Sequence, residues 1–293
     1  MDTLSCGQGG MTRCFILTVR TLSGETMAAP IPLPKTLEEH RQYLHDVVKL
    51  KLHFLHGWLQ RHPEESFVDA LRNRVDIYRK TDINPGGLNP PNITWEEPAW
   101  LDLEKQAAAI YAACLNDVDA FERQAFAVFQ PTIDARCERD YHDRSTRNGY
   151  QCGCLRHNPQ AVDGNGRRTL TFHIANFLSP ESFFDYPGYV RDSFRRLLDI
   201  AEKDFKADHI GTGTWLNSLP KWLAYFPQEW LDNMGPADHD VKWHYGFWGQ
   251  FLTARQTLNY KYAQILRDTG QMPYCRKSSY CTIKAMREKI ATL

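Results

Sequence analysis

The sequence lacks an excess of charge of either sign, and it lacks any long apolar run. Its 293 residues carry 35 Lys and Arg against 35 Asp and Glu, so the formal net charge is zero. A chain without a broad basic surface is a poor partner for nucleic acid or for an anionic membrane. No apolar run approaches the roughly 20 residues that a transmembrane helix needs. We therefore expect a soluble protein that binds neither nucleic acid nor membrane.

Short motifs that would name a reaction are also lacking. The glycines of "GTGT" at 211–214 have neither the following lysine of a P-loop nor the third glycine of a dinucleotide-binding loop. The chain contains no Gly-x-Ser-x-Gly element for a nucleophilic serine and no His-Glu-x-x-His element for zinc. The two cysteines of "CGC" at 152–154 are spaced too closely for a zinc knuckle. These absences exclude several enzyme classes, and no motif identifies a substrate or a cofactor.

Eight cysteines in a chain without a secretory signal favour reduced thiols and a cytoplasmic location. The beginning of the chain differs from the rest, because the stretch between Thr3 and Gly24 has no acidic residue. We interpret residues 1–30 as a tail or an upstream extension that need not be ordered. The alternative is a transit segment for an organelle, since such segments contain Ser and Arg and few acidic residues.

Apolar periodicity predicts a helical first half. The clearest helix covers 36–62, where Thr36 offers an N-cap ahead of acidic residues. Apolar side chains recur there at spacings of three and four residues: Leu44, Val48, Leu52, Leu55 and Leu59. Two more helices are expected over 64–79 and 98–129, and helical character resumes after Pro131.

The second half introduces strands. Residues 168–177 alternate polar and apolar side chains, which is the period of a strand, and a second strand-like run covers 209–216. The helical pattern between them predicts a βαβ unit, whose two strands are parallel. The remaining segments of this half are expected to be helical: 219–233, 241–268 and 282–290.

These elements predict a predominantly helical α+β fold with a small mixed sheet that contains one βαβ unit. Residues 31–293 are expected to form a single globular domain. Its N-terminal half, over 36–142, is helical, and its C-terminal half, over 168–293, combines the βαβ unit with further helices. The chain is 12% aromatic, and such side chains either fill a core or line a pocket.

The first candidate site lies where the two predicted strands end, because ligands of open α/β sheets bind beyond the carboxyl ends of parallel strands. Asn176 follows the first strand, and a group of polar and aromatic residues follows the second: Thr214, Trp215, Asn217 and Ser218. His173 lies near the end of the first strand and could serve as a general acid or base. The alternative interpretation is a capped turn, since Ser218 ahead of Pro220 also fits the start of a helix.

The second candidate is the predicted helix over 241–268. One of its faces carries an apolar stripe that a histidine and an arginine interrupt: His244, Trp248, Phe251, Arg255, Leu258 and Tyr262, with Asn259 on its edge. A buried charge needs a partner. Arg255 therefore either pairs with a structural carboxylate or holds an anionic group of a substrate.

Together these features predict an enzyme that acts on a small polar or anionic metabolite in an aromatic-lined pocket. His173 and His244 would supply acid–base chemistry, and no cofactor is favoured. The predicted substrate-binding residues are Asn176, Thr214, Trp215, Asn217, Ser218, Trp248, Arg255 and Asn259.

Two other functions stay open. One is a metal-dependent enzyme with zinc or iron, a divalent metal ion held by His173, His209, His239 and His244 with Asp208 or Asp238. The other is a non-catalytic binding or scaffold protein, whose aromatic helix packs against a partner.

Overall fold

Helix α1 (Leu37–Arg61) confirms the helix predicted over 36–62. The Thr36 hydroxyl accepts a hydrogen bond from the Glu39 N–H, and the Glu39 carboxylate accepts one from the Thr36 N–H. This capping box satisfies two backbone donors that the first turn of a helix leaves unpaired. The predicted apolar face is buried along the whole helix. The computed structural model describes residues 35–85, 93, 95–143, 151–158 and 166–293, so the predicted N-terminal tail lies outside the described residues.

The helix predicted over 98–129 is two helices. The chain leaves the first one at Cys114 and starts the next after Asp117, whose carboxylate accepts a hydrogen bond from the Ala120 N–H at 2.8 Å. The second helix continues through Pro131 without the break that was predicted between 129 and the helical stretch after Pro131, and it packs along α1. The bounds in this region are α2 Phe67–Arg74, a 3₁₀ turn at Tyr78–Lys80, α3 Pro98–Ala113 and α4 Val118–His142.

The sheet confirms the predicted βαβ unit and adds two strands. Strands β2 (Thr169–Ile174) and β3 (His209–Thr214) are parallel, and helix α5 (Pro187–Lys203) connects them. Strand β1 (Leu155–His157) pairs antiparallel with β2, and β4 (Lys277–Thr282) pairs antiparallel with β3. The order β1-β2-β3-β4 makes a small mixed sheet, and the fold is predominantly helical, as predicted.

The prediction of a single helix over 241–268 is wrong. His244 caps a helix of one turn, Gln256 takes a left-handed conformation with φ 62°, and Asn259 caps a separate helix. Each of these positions ends or restarts regular structure, so the residues of the predicted stripe do not share a helix face. The bounds are α8 Tyr245–Trp248, a 3₁₀ turn at Gly249–Phe251 and α9 Tyr260–Thr269.

The helix predicted over 219–233 is also interrupted, at Pro227, which cannot donate a helical hydrogen bond. It forms α6 (Pro220–Leu223) and α7 (Gln228–Asp232). The last predicted helix is confirmed as α10 (Ile283–Ala291).

Two hydrophobic clusters stabilise the fold. The first surrounds α1 and takes in α3, α4 and the segment that contains Phe247 and Phe251. The second lies between one face of the sheet and α5, and its largest side chains include Phe172, Trp222 and Trp230. Within the described ranges, none of the helices combines the length and the apolar content that a membrane span requires.

Candidate functional site

The polar side chains at the end of β3 and after it form hydrogen bonds within the turn that contains them. Asn217, only 1% exposed, donates from Nδ2 to the carbonyl oxygens of Thr212 and Lys277 at 3.2 and 2.9 Å. Its Oδ1 accepts from the Trp222 indole at 3.1 Å. Thr214 likewise caps the following 3₁₀ turn. These hydrogen bonds fit the capped-turn interpretation of this stretch.

The residues near the end of β2 also have local partners. Asn176 donates from Nδ2 to the Glu181 carbonyl oxygen at 2.7 Å. His173 is exposed, and its Nε2 lies 2.8 Å from Oδ1 of Asn158. Partial burial lowers the pKa of His173, and the nearby Arg156 lowers it further. His173 is therefore mainly neutral at neutral pH, but no described carboxylate orients its ring.

The predicted site residues of the segment after 241 are dispersed. His244 caps α8 by accepting from the Gly246 N–H at 3.0 Å, and burial together with Arg276 lowers its pKa. Trp248 is buried, and its indole donates to the Arg74 carbonyl oxygen at 2.9 Å. These partners differ from those of His173, which are Asn158 and Arg156.

Three further predicted residues lie apart from these. Asn259 caps α9, where its side chain accepts from the Tyr262 N–H. Trp215 stacks on Tyr274, with ring centroids 5.8 Å apart. Arg255 is exposed on the turn before α9 and forms no ion pair with a described residue, so it holds no structural carboxylate there.

The histidines of the metal hypothesis do not come together. His209 packs edge-on against Tyr280, and its neighbour Asp208 pairs with Arg168 at 2.9 Å. His239 is exposed, in a different segment. Among the residues that the structure describes, no group of three or more His, Cys, Asp or Glu side chains could hold a metal ion.

A cavity of about 700 Å³ lies beside the end of α1 and defines the candidate site. Volumes of this size suit small-molecule ligands. Its wall combines aromatic, cationic and anionic side chains from four separate stretches of chain. They are Phe54, Trp58, Arg61 and His62 of α1 and its cap; Glu64, Glu65 and Arg74; Asp238–Val241 with Phe247; and Gly270–Met272 with Cys275.

Trp58, Glu65 and Arg74 form a fixed wall of the cavity. Glu65 accepts a hydrogen bond from the Trp58 indole at 2.7 Å and another from Arg74 Nε at 3.0 Å. The Arg74 guanidinium lies 4.7 Å from the Trp58 ring centroid, and His62 stacks on Trp58 at 4.1 Å. Arg74 also binds Asp240, so its charge is compensated within the wall.

Arg61 and His239 are two polar residues of the cavity whose side chains can still bind a ligand. Arg61 donates to the Gly270 carbonyl oxygen at 3.1 Å and forms no ion pair with a described residue. Burial lowers the pKa of its guanidinium without neutralising it. His239 is exposed at the cavity and forms no hydrogen bond with a described residue. A cation and an imidazole ring therefore face the same space.

The "GTGT" strand helps to position the opposite wall. A Cβ at Gly213 would lie 2.7 Å from Cζ of Arg276, so the glycine makes room for this side chain. Arg276 in turn binds Asp238 at 3.3 Å and lies against His244. The sheet thereby fixes Asp238, the neighbour of His239, at the cavity.

Cys275 is the thiol of this site. It is half-buried, and its Sγ lies 3.5 Å from the Ser218 hydroxyl, which donates to the Cys275 carbonyl oxygen at 3.0 Å. Cys154, by contrast, is fully buried, and burial raises its pKa to about 11, so it is no nucleophile.

Comparisons with protein families, with characterised proteins and with solved structures find no match to this chain. The candidate site is therefore assigned from its own geometry. Among the cavity residues, sequence reasoning had singled out the "DHD" stretch at 238–240, as candidate metal ligands.

Proposed function

We propose that the protein is an enzyme that acts on a small polar or anionic metabolite, and that the 700 Å³ cavity is its active site. The observation that carries this proposal is the Arg61 guanidinium, which faces the cavity without a carboxylate partner among the described residues. A guanidinium in that position presents a fork of donors to a carboxylate or phosphate group.

The cavity residues suggest a division of roles. Arg61 holds the anionic group of the substrate, and the apolar surfaces of Phe247 and Met272 contact its carbon skeleton. His239 serves as general acid or base, since an imidazole nitrogen can accept or donate a proton. In this proposal Arg61 takes the role that was predicted for Arg255. His239 takes the role that was predicted for His173 and His244.

A thermal-shift screen of small carboxylates, with neutral sugars for comparison, tests the proposal, because a ligand of the folded state raises the melting temperature. Arg61→Gln is expected to weaken binding of a carboxylate by about 10–100-fold, since a hydrogen bond to a charged group contributes about 1.5–3 kcal/mol. The matched control is Arg255→Gln, an exposed arginine outside the cavity, which should bind as wild type does.

The catalytic part of the proposal has its own readout. His239→Gln should retain ligand affinity and lose about 10²–10⁴-fold in turnover of a converted ligand. If Arg255→Gln weakens binding and Arg61→Gln does not, the cavity is not the site. If His239→Gln keeps full turnover, the acid–base assignment is wrong. Cytoplasmic location and the absence of nucleic-acid partners stay predictions from composition.

A further inference from the structure

The charged side chains around the 700 Å³ cavity are unevenly paired. Three carboxylates and three cationic side chains bind one another at its wall and balance in charge: Glu65, Asp238 and Asp240 with Arg74, Lys242 and Arg276. Two charged residues that line the same cavity belong to none of these pairs. They are Arg61, which is cationic, and Glu64, which is anionic. A ligand of the cavity therefore meets one further charge of each sign.

Glu64 is held at the edge of the cavity through the aromatic wall. Its Oε1 lies 3.2 Å from Nδ1 of His62, and the His62 ring stacks on Trp58 with centroids 4.1 Å apart. The Glu64 side chain is 72% exposed, and no lysine or arginine of the described chain pairs with it. Its ionic contact is with an imidazole, which bears a charge only when it is protonated. The carboxylate is therefore positioned and open to a cationic group of a ligand.

Arg61 is positioned by a backbone group. It donates from Nη2 to the Gly270 carbonyl oxygen at 3.1 Å, and a Cβ at Gly270 would lie 2.8 Å from Nη1, so the glycine makes room for the guanidinium. Arg61 and Glu64 do not form an ion pair with each other. Their Cα atoms are nevertheless no more than about 11 Å apart, because three residues separate them along the chain. One small molecule with two opposite charges can therefore reach both.

We propose that the substrate of the cavity is an amino acid, which carries both a carboxylate and an ammonium group. Arg61 binds the carboxylate, and Glu64 accepts hydrogen bonds from the ammonium group, which has three donors and no acceptor. A ligand with a carboxylate alone would satisfy Arg61 and leave Glu64 near a like charge, which complementary sites avoid. This inference rests on the proposed function, because it keeps the substrate carboxylate on Arg61 in the same cavity.

Pairs of ligands that differ only by the amino group test this inference. The pairs are leucine with 4-methylpentanoate, phenylalanine with 3-phenylpropanoate, aspartate with succinate, and 4-aminobutyrate with butyrate. Thermal shift ranks the eight compounds, and calorimetric titration measures the dissociation constants of the best pair. The amino acid of that pair should bind wild type about three- to tenfold more tightly than its partner, because an ion pair with an exposed carboxylate contributes modestly to affinity.

Glu64→Gln keeps the size of the side chain and removes its charge. It should lower the affinity for the amino acid to that of the partner without the amino group, and it should bind that partner at least as tightly as wild type does. The matched control is Glu38→Gln. Glu38 is 75% exposed and also binds a cationic side chain close to it in the sequence, Arg41, but it does not line the cavity. This control should bind both compounds as wild type does.

The inference is overturned if wild type binds none of the amino acids more tightly than its partner. It is also overturned if Glu64→Gln and Glu38→Gln bind the amino acid equally well. The proposed function survives either result when the carboxylates still bind wild type and Arg61→Gln still weakens their binding. If Arg61→Gln binds both members of the best pair as wild type does, the proposed function and this inference fail together.

Discussion

Replacing Asn217 by alanine separates a structural from a ligand-binding role for the stretch after β3. The side chain makes three hydrogen bonds in a place that is 1% exposed. Without it, the indole N–H of Trp222 is left buried and unpaired, because Trp222 has no solvent exposure. An orphaned donor of this kind costs about 1–3 kcal/mol, and each of the two bonds to carbonyl oxygens contributes about 1 kcal/mol.

We therefore expect Asn217→Ala to lower the free energy of unfolding by about 3–5 kcal/mol. Urea unfolding followed by tryptophan fluorescence and circular dichroism measures this change. Ser218→Ala is the comparison, because it removes one hydrogen bond to the Cys275 carbonyl oxygen and a weaker contact with the Cys275 Sγ, and it should cost about 1 kcal/mol.

The structural role is refuted if Asn217→Ala unfolds within about 1 kcal/mol of wild type. If the same variant then fails to bind the ligand found in the carboxylate screen, Asn217 contacts substrate, as the sequence suggested.

Three further predictions concern side chains that take part in ion pairs. Gly213→Ala pushes Arg276 away from Asp238, so ligand affinity at the cavity should fall while the melting temperature changes little, which titration and thermal shift together measure. Glu104 is 2% exposed, and its carboxylate pairs with Arg72. Glu104→Gln removes the negative charge of this pair and should lower the free energy of unfolding, measured in urea, by about 3–5 kcal/mol. The pKa of Asp140 is lower in the folded than in the unfolded state, so the ionised Asp140 stabilises the folded protein above about pH 4, and this stabilisation is lost as pH falls below that value. The free energy of unfolding of Asp140→Asn should therefore depend less on pH in an acid-unfolding experiment.

The elements with a clear period were predictable from the sequence. The helix over 36–62 has both a continuous apolar stripe and a capping box, and each observation predicts the same element. The alternation of 168–177 and the helical pattern after it predicted the βαβ unit, because strand and helix periods differ. In these elements the apolar period and the neighbouring residues indicate the same structure, which is also the one that the tertiary contacts stabilise.

The incorrect predictions of secondary structure also have physical reasons. Spacings of three and four residues over 241–268 suggested one helix, but they arose by coincidence across separate turns and helices with their own caps, His244 and Asn259. Strand β4 was missed because its buried side chains include Ser279 and Cys281 rather than Val or Ile, so it lacks the usual composition of a strand.

The cavity could not be predicted from local patterns. Arg61 ends α1, and Arg74 and His239 belong to two other stretches of the chain, so only tertiary packing brings them together. The one available signal was the "DHD" stretch at 238–240, whose residue types suggested metal ligands. Two of its residues contribute instead to ion pairs with Arg276 and Arg74.

A crystal structure of the protein with the tightest carboxylate from the screen tests the central claim most directly. We expect electron density for the ligand in the 700 Å³ cavity, with its carboxylate on the Arg61 guanidinium and a reacting atom within hydrogen-bonding reach of His239. Ligand density at the strand ends beside Asn176 and Asn217, with the cavity empty, would contradict the account.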